Sequence, residues 1–418
     1  MRITVLGAAR EVGRSAILVA NDNSKVLLDY GVLLKREPLF PMHVKPKDID
    51  GIIITHAHLD HSGFVPSLFV SSTPDVYATE PTFELSKLLI EDMLKISGFY
   101  LPFEYLELIT MLKYANKKEY REAFDVKDMR IILHESGHII GGASVVVECN
   151  NKRIFYTGDI NLNGSRITKE ADLDIGEIDL IITESTYSME DHQPREEAER
   201  TLIEFANDVV ERGGILFIPA FSIERAQEIA CVFQAYNFKH RVVMDGMALK
   251  ANEIMLRYPM FINNVELFSN ALKNAEWIRG WGDRKRALNS PCVIISPAGM
   301  LVGGASIFYL EEIADDTKNG IAIVSYQGEN TPGRTLMNER IALIKGKIMK
   351  VNAEIRRFEF SGHSGRHELF KMIKSIKGEP KVLTVHGDHD SCIKFADDIR
   401  SVVGLDAYAP LAGEGIEL

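Results

Sequence analysis

Cysteine is scarce in this chain, and its spacing excludes two kinds of stabilised small domain. Only four cysteines occur in 418 residues, and the nearest two, Cys231 and Cys292, stand 61 positions apart. Since no Cys-x-x-Cys pair exists, neither a thiolate zinc finger nor a disulfide framework is expected. Each cysteine lies in or beside an apolar run, which predicts buried free thiols in a reducing compartment.

Long apolar segments are also missing. The sequence has no stretch of about 20 uncharged apolar residues, so no membrane-spanning helix is expected. Arg10, Glu11 and Arg14 interrupt the apolar N-terminus, which argues against a signal peptide. These absences predict a cytoplasmic protein.

Positive charge is in deficit, with 48 Lys and Arg against 59 Asp and Glu, a net charge of −11. This balance argues against a protein that coats itself with nucleic acid. Two local basic clusters nevertheless occur, and each is interpreted as either a phosphate track or a solvated face. The first comprises Arg279, Arg284, Lys285 and Arg286 around Trp281, and the second Lys345, Lys347, Lys350, Arg356 and Arg357.

Strand and helix patterns predict an α/β protein of two units. Short apolar runs such as Gly51–Thr55 indicate strands, and Pro81–Tyr120 is predicted to be helical. From about Gln193 each strand is followed by a turn and a helix, as in a parallel sheet, with Ser222 predicted to cap a helix over Ser222–Tyr236. We expect a first domain over residues 1–190, an insertion over 191–350, and a return to the first domain over 351–418.

Histidine carries the clearest functional signal. The motif His-x-His-x-Asp-His directly follows the predicted strand Gly51–Thr55. Four metal-competent side chains so close together cannot all be buried without partners. Within one turn, His56 and His58 can bind one metal, and Asp60 with His61 a second. A donor set of His and Asp without Cys favours zinc over iron or manganese.

Further candidate ligands share one setting, a strand end with glycine beside it. His138 precedes a Gly-Gly turn, Asp159 follows Thr157-Gly158, and His386 precedes Gly387. A carboxylate at the position of Asp159 can bridge two metals.

These motifs resemble the metallo-β-lactamase fold, an αββα sandwich with a two-metal site between its sheets. The resemblance implies that His56, His58, His138 and Asp159 hold metal one. It implies that Asp60, His61, Asp159 and His386 hold metal two.

Later motifs are similar to the β-CASP nuclease branch of that fold, which carries an inserted α/β domain. The branch includes the endonuclease subunit of the cleavage and polyadenylation specificity factor, its archaeal homologues, and RNase J. Because the chain begins directly in the metallo-β-lactamase-like domain, we expect an archaeal-type homologue without KH domains. The motifs, in the family's order, are Glu184–Tyr187, Pro219–Glu228, Ser296–Leu301, Tyr326–Arg334 and Ser361–Ser364.

The resemblance implies a ribonuclease with two Zn²⁺ per chain that cuts single-stranded RNA through a bridging water of lowered pKa. His363 then acts as general acid, Glu184 orients it, and Asp60 belongs to the catalytic centre. Asp29 would hydrogen-bond ligand histidines. Four residues match family positions near the RNA, with an interdomain salt bridge as the alternative for the two arginines: Ser222, Arg225, Ser296 and Arg334.

Several alternatives stay open. Endonuclease action is favoured, and a 5′-exonuclease of RNase J type, a metallo-hydrolase of small esters and a non-catalytic RNA-binding scaffold are the other interpretations. The roles expected are RNA 3′-end processing or decay, as a homodimer or in an assembly with other RNA-processing factors. His134, His367 and His389 are interpreted as structural, and His192 as either a site-entrance residue or a solvated loop histidine.

Overall fold

The computed structural model describes residues 1–35, 37–328, 330–344 and 346–418. Lys345 of the second basic cluster and Glu329 of the Tyr326–Arg334 motif lie outside the described residues. The chain forms two compact units. The first comprises Met1–Gly164, Thr168–Asp191 and Gly362–Leu418, and the second comprises Ser165–Ile167 and His192–Ser361.

The strands are distributed over both units. Before the chain enters the second unit they are β1 (Arg2–Gly7), β2 (Ala16–Ala20), β3 (Lys25–Leu28), β4 (Gly51–Ile53), β5 (Asp75–Ala78), β6 (Ala115–Lys117), β7 (Ala123–Val126), β8 (Met129–Glu135), β9 (Ala143–Cys149), β10 (Lys152–Tyr156) and β11 (Leu180–Glu184). The second unit contributes β12 (Ile215–Pro219), β13 (Val242–Met244), β14 (Glu276–Trp277), β15 (Cys292–Ser296), β16 (Gly320–Ile323), β17 (Ile341–Ile344), β18 (Lys347–Lys350) and β19 (Glu354–Arg357). The returning segment adds β20 (Lys381–Val385), β21 (Ala407–Tyr408) and β22 (Gly415–Glu417).

The helices follow the same division. The first unit contains α1 (Leu59–Ser62), α2 (Glu80–Ser97) and α3 (Tyr105–Lys113). The second contains α4 (Arg195–Glu211), α5 (Arg225–Ala235), α6 (Ala248–Met255), α7 (Val265–Asn274), α8 (Trp281–Ala287), α9 (Ala305–Ile313) and α10 (Pro332–Glu339). The returning segment forms α11 (Arg366–Ser375) and α12 (His389–Asp398). Short 3₁₀ turns span Pro46–Asp48, Val65–Val70, Gly98–Tyr100 and Pro259–Phe261, and a π turn spans Ile399–Val403.

Two sheets form the centre of the first unit. In the described part of the chain each has seven strands, in the orders β22-β1-β2-β3-β4-β5-β6 and β21-β20-β11-β10-β9-β8-β7. Successive side chains of a strand point to opposite faces, so Val145 and Val147 of β9 join the core between the sheets while Val146 faces α11 and α12. A third core packs α2 and α3 on the outer face of the first sheet. The unit is therefore an αββα sandwich, as the family resemblance implied.

The second unit is built around a parallel sheet, also as predicted. Its order among the described strands is β14-β13-β15-β12-β16-β19. Every residue of β12 and of β15 is buried, which is typical of parallel strands covered by helices on both faces. β17 and β18 pair with each other as an antiparallel hairpin.

Three expectations about local structure differ from the structure. The segment predicted to be helical over Pro81–Tyr120 breaks after α2, since Pro102 disfavours helical backbone before it, and its end becomes β6, paired with β5. Ser222 does not cap α5, which begins at Arg225. The second unit also extends to Ser361, because β19 pairs with β16 in its sheet.

The structure bears on two of the features that the sequence lacks, paired cysteines and long apolar segments. All four cysteines are free and buried. Among the described helices, none combines enough length with enough apolar sequence to traverse a bilayer.

Candidate metal centre

Parallel strand pairing gathers the candidate residues at matching strand ends of the first unit. β10, β11 and β20 run parallel as neighbours, so Asp159, Glu184 and His386 emerge at the same edge of one sheet. β3 and β4 run parallel in the other sheet, which brings Asp29 beside the start of the His-x-His-x-Asp-His segment. The fold itself therefore collects side chains that lie far apart in the sequence.

The first donor group consists of His56, His58, His138 and Asp159, whose ligand-type atoms lie within 4.8 Å of one another. His56 Nε2 and His138 Nε2 lie 3.4 and 3.5 Å from Asp159 Oδ2. His138 Nε2 lies 3.1 Å from His58 Nδ1. A tetrahedral zinc ion with ligands at ~2.0–2.1 Å has donors about 3.3 Å apart. These spacings fit that geometry.

The second donor group consists of Asp60, His61, Asp159 and His386, again within 4.8 Å. Asp159 Oδ1 lies 3.2 Å from His61 Nε2 and 2.7 Å from His386 Nδ1. Asp60 Oδ2 lies 3.4 Å from His386 Nε2. The two oxygens of Asp159 thus face the two groups, one each, which is the arrangement of a bridging carboxylate.

Hydrogen bonds on the outer side of the rings leave the facing nitrogens as acceptors. His138 Nδ1 donates to the Gly362 carbonyl over 2.7 Å, and His61 Nδ1 donates to Asp29 Oδ2 over 2.7 Å. Nε2 of each ring therefore faces the cluster and is the atom through which the neutral ring would bind a metal. His56 Nε2 and His386 Nε2 are buried and make no hydrogen bond within the described ranges. Buried polar atoms that make no hydrogen bond are rare, and both nitrogens lie 3.4 Å from a carboxylate oxygen, so this donor set fits metal ions.

Asp29 supports the cluster from behind. It is fully buried, with a positive φ of 59° at the turn after β3. Its carboxylate accepts hydrogen bonds from Thr55 N (2.8 Å), Thr55 Oγ1 (2.8 Å), Tyr156 Oη (3.0 Å) and His61 Nδ1. Thr55 Oγ1 in turn lies 3.0 Å from His56 Nδ1. One carboxylate therefore orients histidines of both donor groups.

The cluster shifts the pKa values of its members in opposite directions. Burial, reinforced by nearby imidazoles, lowers the pKa of His56 and of His138, which keeps these rings neutral. Burial also opposes charge on His386, but Asp159 and Asp60 outweigh it and raise its pKa to about 10. For Asp159 the histidines overcome burial and lower the pKa. The acidic members are thus anionic, which favours cations among them.

Glu184 and His363 form a pair beside the first donor group. His363 Nδ1 lies 2.8 Å from Glu184 Oε2, and Glu184 Oε1 accepts the Ile160 N–H over 2.8 Å. The His363 ring centroid is 4.5 Å from that of His138. Burial lowers the pKa of His363, but the Glu184 carboxylate outweighs it, so the net shift is upward. A second possibility is metal binding, since Asp159, Glu184 and His363 also form a compact donor group.

The four candidate RNA contacts all belong to the second unit. Ser296 is fully buried and its hydroxyl lies 3.2 Å from the Pro297 carbonyl, while Arg225 is buried and ion-paired with Glu228. Ser222 is also buried, whereas Arg334 is exposed on α10. The ion pair of Arg225 lies within α5, three positions along the helix, and is therefore not the interdomain salt bridge considered as the alternative. Of the four residues, only Arg334 presents its side chain to solvent.

The remaining histidines occupy varied positions. His134 Nδ1 lies 2.9 Å from Asp172, outside the donor groups. His367 and His389 are exposed near the starts of α11 and α12, and His192 is half-buried at the start of the second unit.

Sequence reasoning missed three groups that orient the site: Thr55, Tyr156 and the Gly362 carbonyl. Thr55 directly precedes His56, so its position was a usable signal. Tyr156 lies 127 positions from Asp29, and Gly362 lies 224 positions from His138, so no local pattern connects them.

Three known families match successive parts of the chain. Residues 9–211 match the metallo-beta-lactamase superfamily, and residues 226–336 match the Beta-Casp domain. Residues 348–410 match the Zn-dependent metallo-hydrolase RNA specificity domain. A crystal structure of a protein of unknown function from Enterococcus faecalis superimposes with a TM-score of 0.61 at 14% identity, covering 100% of this chain and 99% of that one. That similarity concerns the fold.

Curated relatives match over the whole chain. RNase aCSPSF2 of Saccharolobus solfataricus is 36% identical, covering 100% of this chain and 85% of the relative. Probable RNase MJ4 of Methanocaldococcus jannaschii is 35% identical, with 100% of both chains covered. Transcription termination factor FttA of the same organism is 34% identical, covering 100% of this chain and 72% of the relative. The chain therefore belongs to the β-CASP branch of the metallo-β-lactamase superfamily, a family of metallo-hydrolases.

Proposed function

We propose that this chain is a zinc-dependent ribonuclease that hydrolyses phosphodiester bonds of single-stranded RNA as an endonuclease. The observation that carries the proposal is the Glu184–His363 pair beside a buried cluster of five histidines and two aspartates. Two of the whole-length relatives are named RNases, and the match over residues 348–410 is to an RNA specificity domain. RNA 3′-end processing or decay is the corresponding cellular role.

The donor chemistry supports two zinc ions per chain. His56, His58 and His138 with Asp159 would hold one, and Asp60, His61 and His386 with Asp159 the other. Imidazole and carboxylate donors without thiolates suit zinc, and the spacings agree with its tetrahedral preference. Bound there, the metals would supply Lewis-acid polarisation of the phosphate and lower the pKa of a bound water.

His363 is the proposed proton donor to the leaving ribose oxygen. Because the Glu184 carboxylate only accepts hydrogen bonds, His363 Nδ1 must carry a proton toward it, and Nε2 becomes the atom for proton transfer. The Ile160 N–H holds Glu184 from the other side. The His363 side chain is 21% exposed while that of Glu184 is 0% exposed, so the histidine is the member of the pair that reaches solvent.

The test is cleavage of one unstructured RNA labelled separately at its 5′ and 3′ ends. We expect internal fragments from both labels in the presence of zinc, and none after chelation. Immediate release of mononucleotide from the 5′ label would instead indicate a 5′-exonuclease. Absence of RNA cleavage by zinc-loaded protein that turns over generic esters would contradict the proposal.

Replacing Asp29 by asparagine should weaken zinc binding about 10- to 100-fold, the usual effect of losing a group that orients metal-bound histidines. Asparagine tolerates the positive φ, so the backbone is kept. Its amide nitrogen is a hydrogen-bond donor, however, and would face one of the groups that now donate to the carboxylate, so that hydrogen bond would be lost. Titration against a competing chelator measures the affinity.

The matched control for Asp29 is Tyr156→Phe, which removes one of the donors and leaves the carboxylate intact. We expect it to lower zinc affinity less than Asp29→Asn. Equal affinity in wild type and Asp29→Asn would refute the orienting role of this aspartate.

A further inference from the structure

Trp281 is an exposed aromatic residue in a chain with only two tryptophans. Its side chain is 55% exposed at the start of α8. The other, Trp277, is half-buried and donates its Nε1–H to the Leu272 carbonyl over 2.9 Å. An exposed indole offers a flat apolar surface on which another aromatic ring can stack.

The ring is held in place from within the second unit. Phe308 of α9 packs against it at 4.7 Å between ring centroids, and the Arg284 guanidinium lies 5.8 Å from its centre. Arg284 is itself fixed by two hydrogen bonds to buried Asp245, at 2.6 and 3.1 Å. Tyr309 Oη donates to the same carboxylate over 2.8 Å. The exposed part of the indole is therefore held in place before any ligand binds.

The surroundings of the ring are cationic. Between residues 279 and 287 there are four basic residues and one acidic residue, in a chain that is acidic overall. Arg279, Lys285 and Arg286 are exposed, and Arg286 is ion-paired with Asp283. An aromatic face bordered by cations matches a base stacked beside its phosphates.

Trp281 and the first basic cluster together form a surface patch. This patch lies at the edge of the sheet where parallel sheets commonly bind ligands. α8 follows the carboxyl end of β14, and Asp245 follows the carboxyl end of β13. In open α/β sheets the carboxyl edge is the ligand-binding edge.

We propose that Trp281, with Arg279 and Lys285, stacks and neutralises one nucleotide of a single-stranded RNA bound to the second unit. The proposal rests on RNA being the substrate of the metal centre. It assigns to the first basic cluster a binding role that does not involve the chemical step.

The test measures binding of fluorescein-labelled oligouridylate by anisotropy, using zinc-loaded full chain that carries His363→Ala to suppress cleavage. We expect Trp281→Ala to bind about tenfold more weakly, the effect of losing one stacked base, and Trp281→Phe to restore most of the affinity. Lys285→Glu should weaken binding and reduce its salt dependence. Unlabelled oligouridylate should quench the indole emission of the chain, and this quenching should be lost in Trp281→Phe.

Unchanged RNA affinity in both Trp281→Ala and Lys285→Glu would overturn the proposal. An acidic protein would then be the better candidate for the partner that binds the patch. Turnover of bis(p-nitrophenyl) phosphate separates this result from failure of the metal centre. If the wild type cleaves no RNA, the proposed activity fails and the anisotropy still decides whether the patch binds RNA.

Discussion

Asp159→Asn is expected to remove most zinc from both donor groups and to lower RNA cleavage about a thousandfold or more. The reason is that the two carboxylate oxygens of Asp159 face different donor groups, at 3.4 Å from His56 and 3.2 Å from His61. Asparagine keeps the shape but loses the negative charge and one oxygen, which together stabilise two divalent cations. Several kcal/mol of metal-dependent transition-state stabilisation correspond to that loss of rate.

Elemental analysis of dialysed protein measures the zinc content, and thermal unfolding with and without zinc measures its linkage to folding. A ligand that binds only the folded state raises its stability, so the wild type should melt higher with zinc and Asp159→Asn should not. Asp172→Asn is the matched control, because it removes a carboxylate that pairs with His134 outside the donor groups. Two zinc ions per chain in Asp159→Asn would disprove the bridging assignment.

His363→Ala is expected to lower RNA cleavage about 10²- to 10⁴-fold, the range for removing a general acid, while two zinc ions stay bound. Glu184→Gln should act in the same direction, since a neutral amide no longer requires a proton on His363 Nδ1. Single-turnover cleavage of labelled RNA measures the chemical step, and elemental analysis measures zinc in the same preparations.

The metal content in His363→Ala decides between the two roles that its geometry allows. Because Asp159, Glu184 and His363 also form a compact donor group, loss of one zinc would make the histidine a ligand instead. His134→Ala is the control, because it removes a histidine that pairs with an aspartate elsewhere in the same unit. Full activity in His363→Ala would eliminate the general-acid role.

Local sequence predicted the donor residues because three histidines and an aspartate lie within six positions after one strand. Because the strand before this segment is buried, the segment cannot turn all of these side chains to solvent. The closeness of the four side chains therefore predicts metal binding. His138, Asp159 and His386 were identified by the same reasoning, since glycine beside a strand end marks a turn. The αββα layers followed from resemblance, and β9 agrees with them, since Val145 and Val147 join the core between the sheets while Val146 joins the core beneath α11 and α12.

Local sequence misjudged elements whose state depends on distant partners. Ala115–Lys117 became a strand because β5 offers it a parallel edge, which no helical periodicity could indicate. Arg225 and Ser296, expected near RNA, are both buried, and contact of either residue with RNA stays a prediction. Their residue types suited phosphate binding, but exposure is a property of the packed chain.

By itself the sequence determined the chemical types of the donors, their order along the chain and the family to which they belong. These follow from side-chain chemistry and short-range spacing, and both can be read from the sequence without knowledge of the fold. Tertiary structure alone decided which oxygen of Asp159 faces which group, and that Glu184 meets His363 across 179 positions. It also decided that Asp245 anchors the guanidinium beside an exposed Trp281. Such contacts depend on how strands of separate sequence segments pair and pack, because distances of 3 Å are set by long-range packing and not by neighbours in the chain.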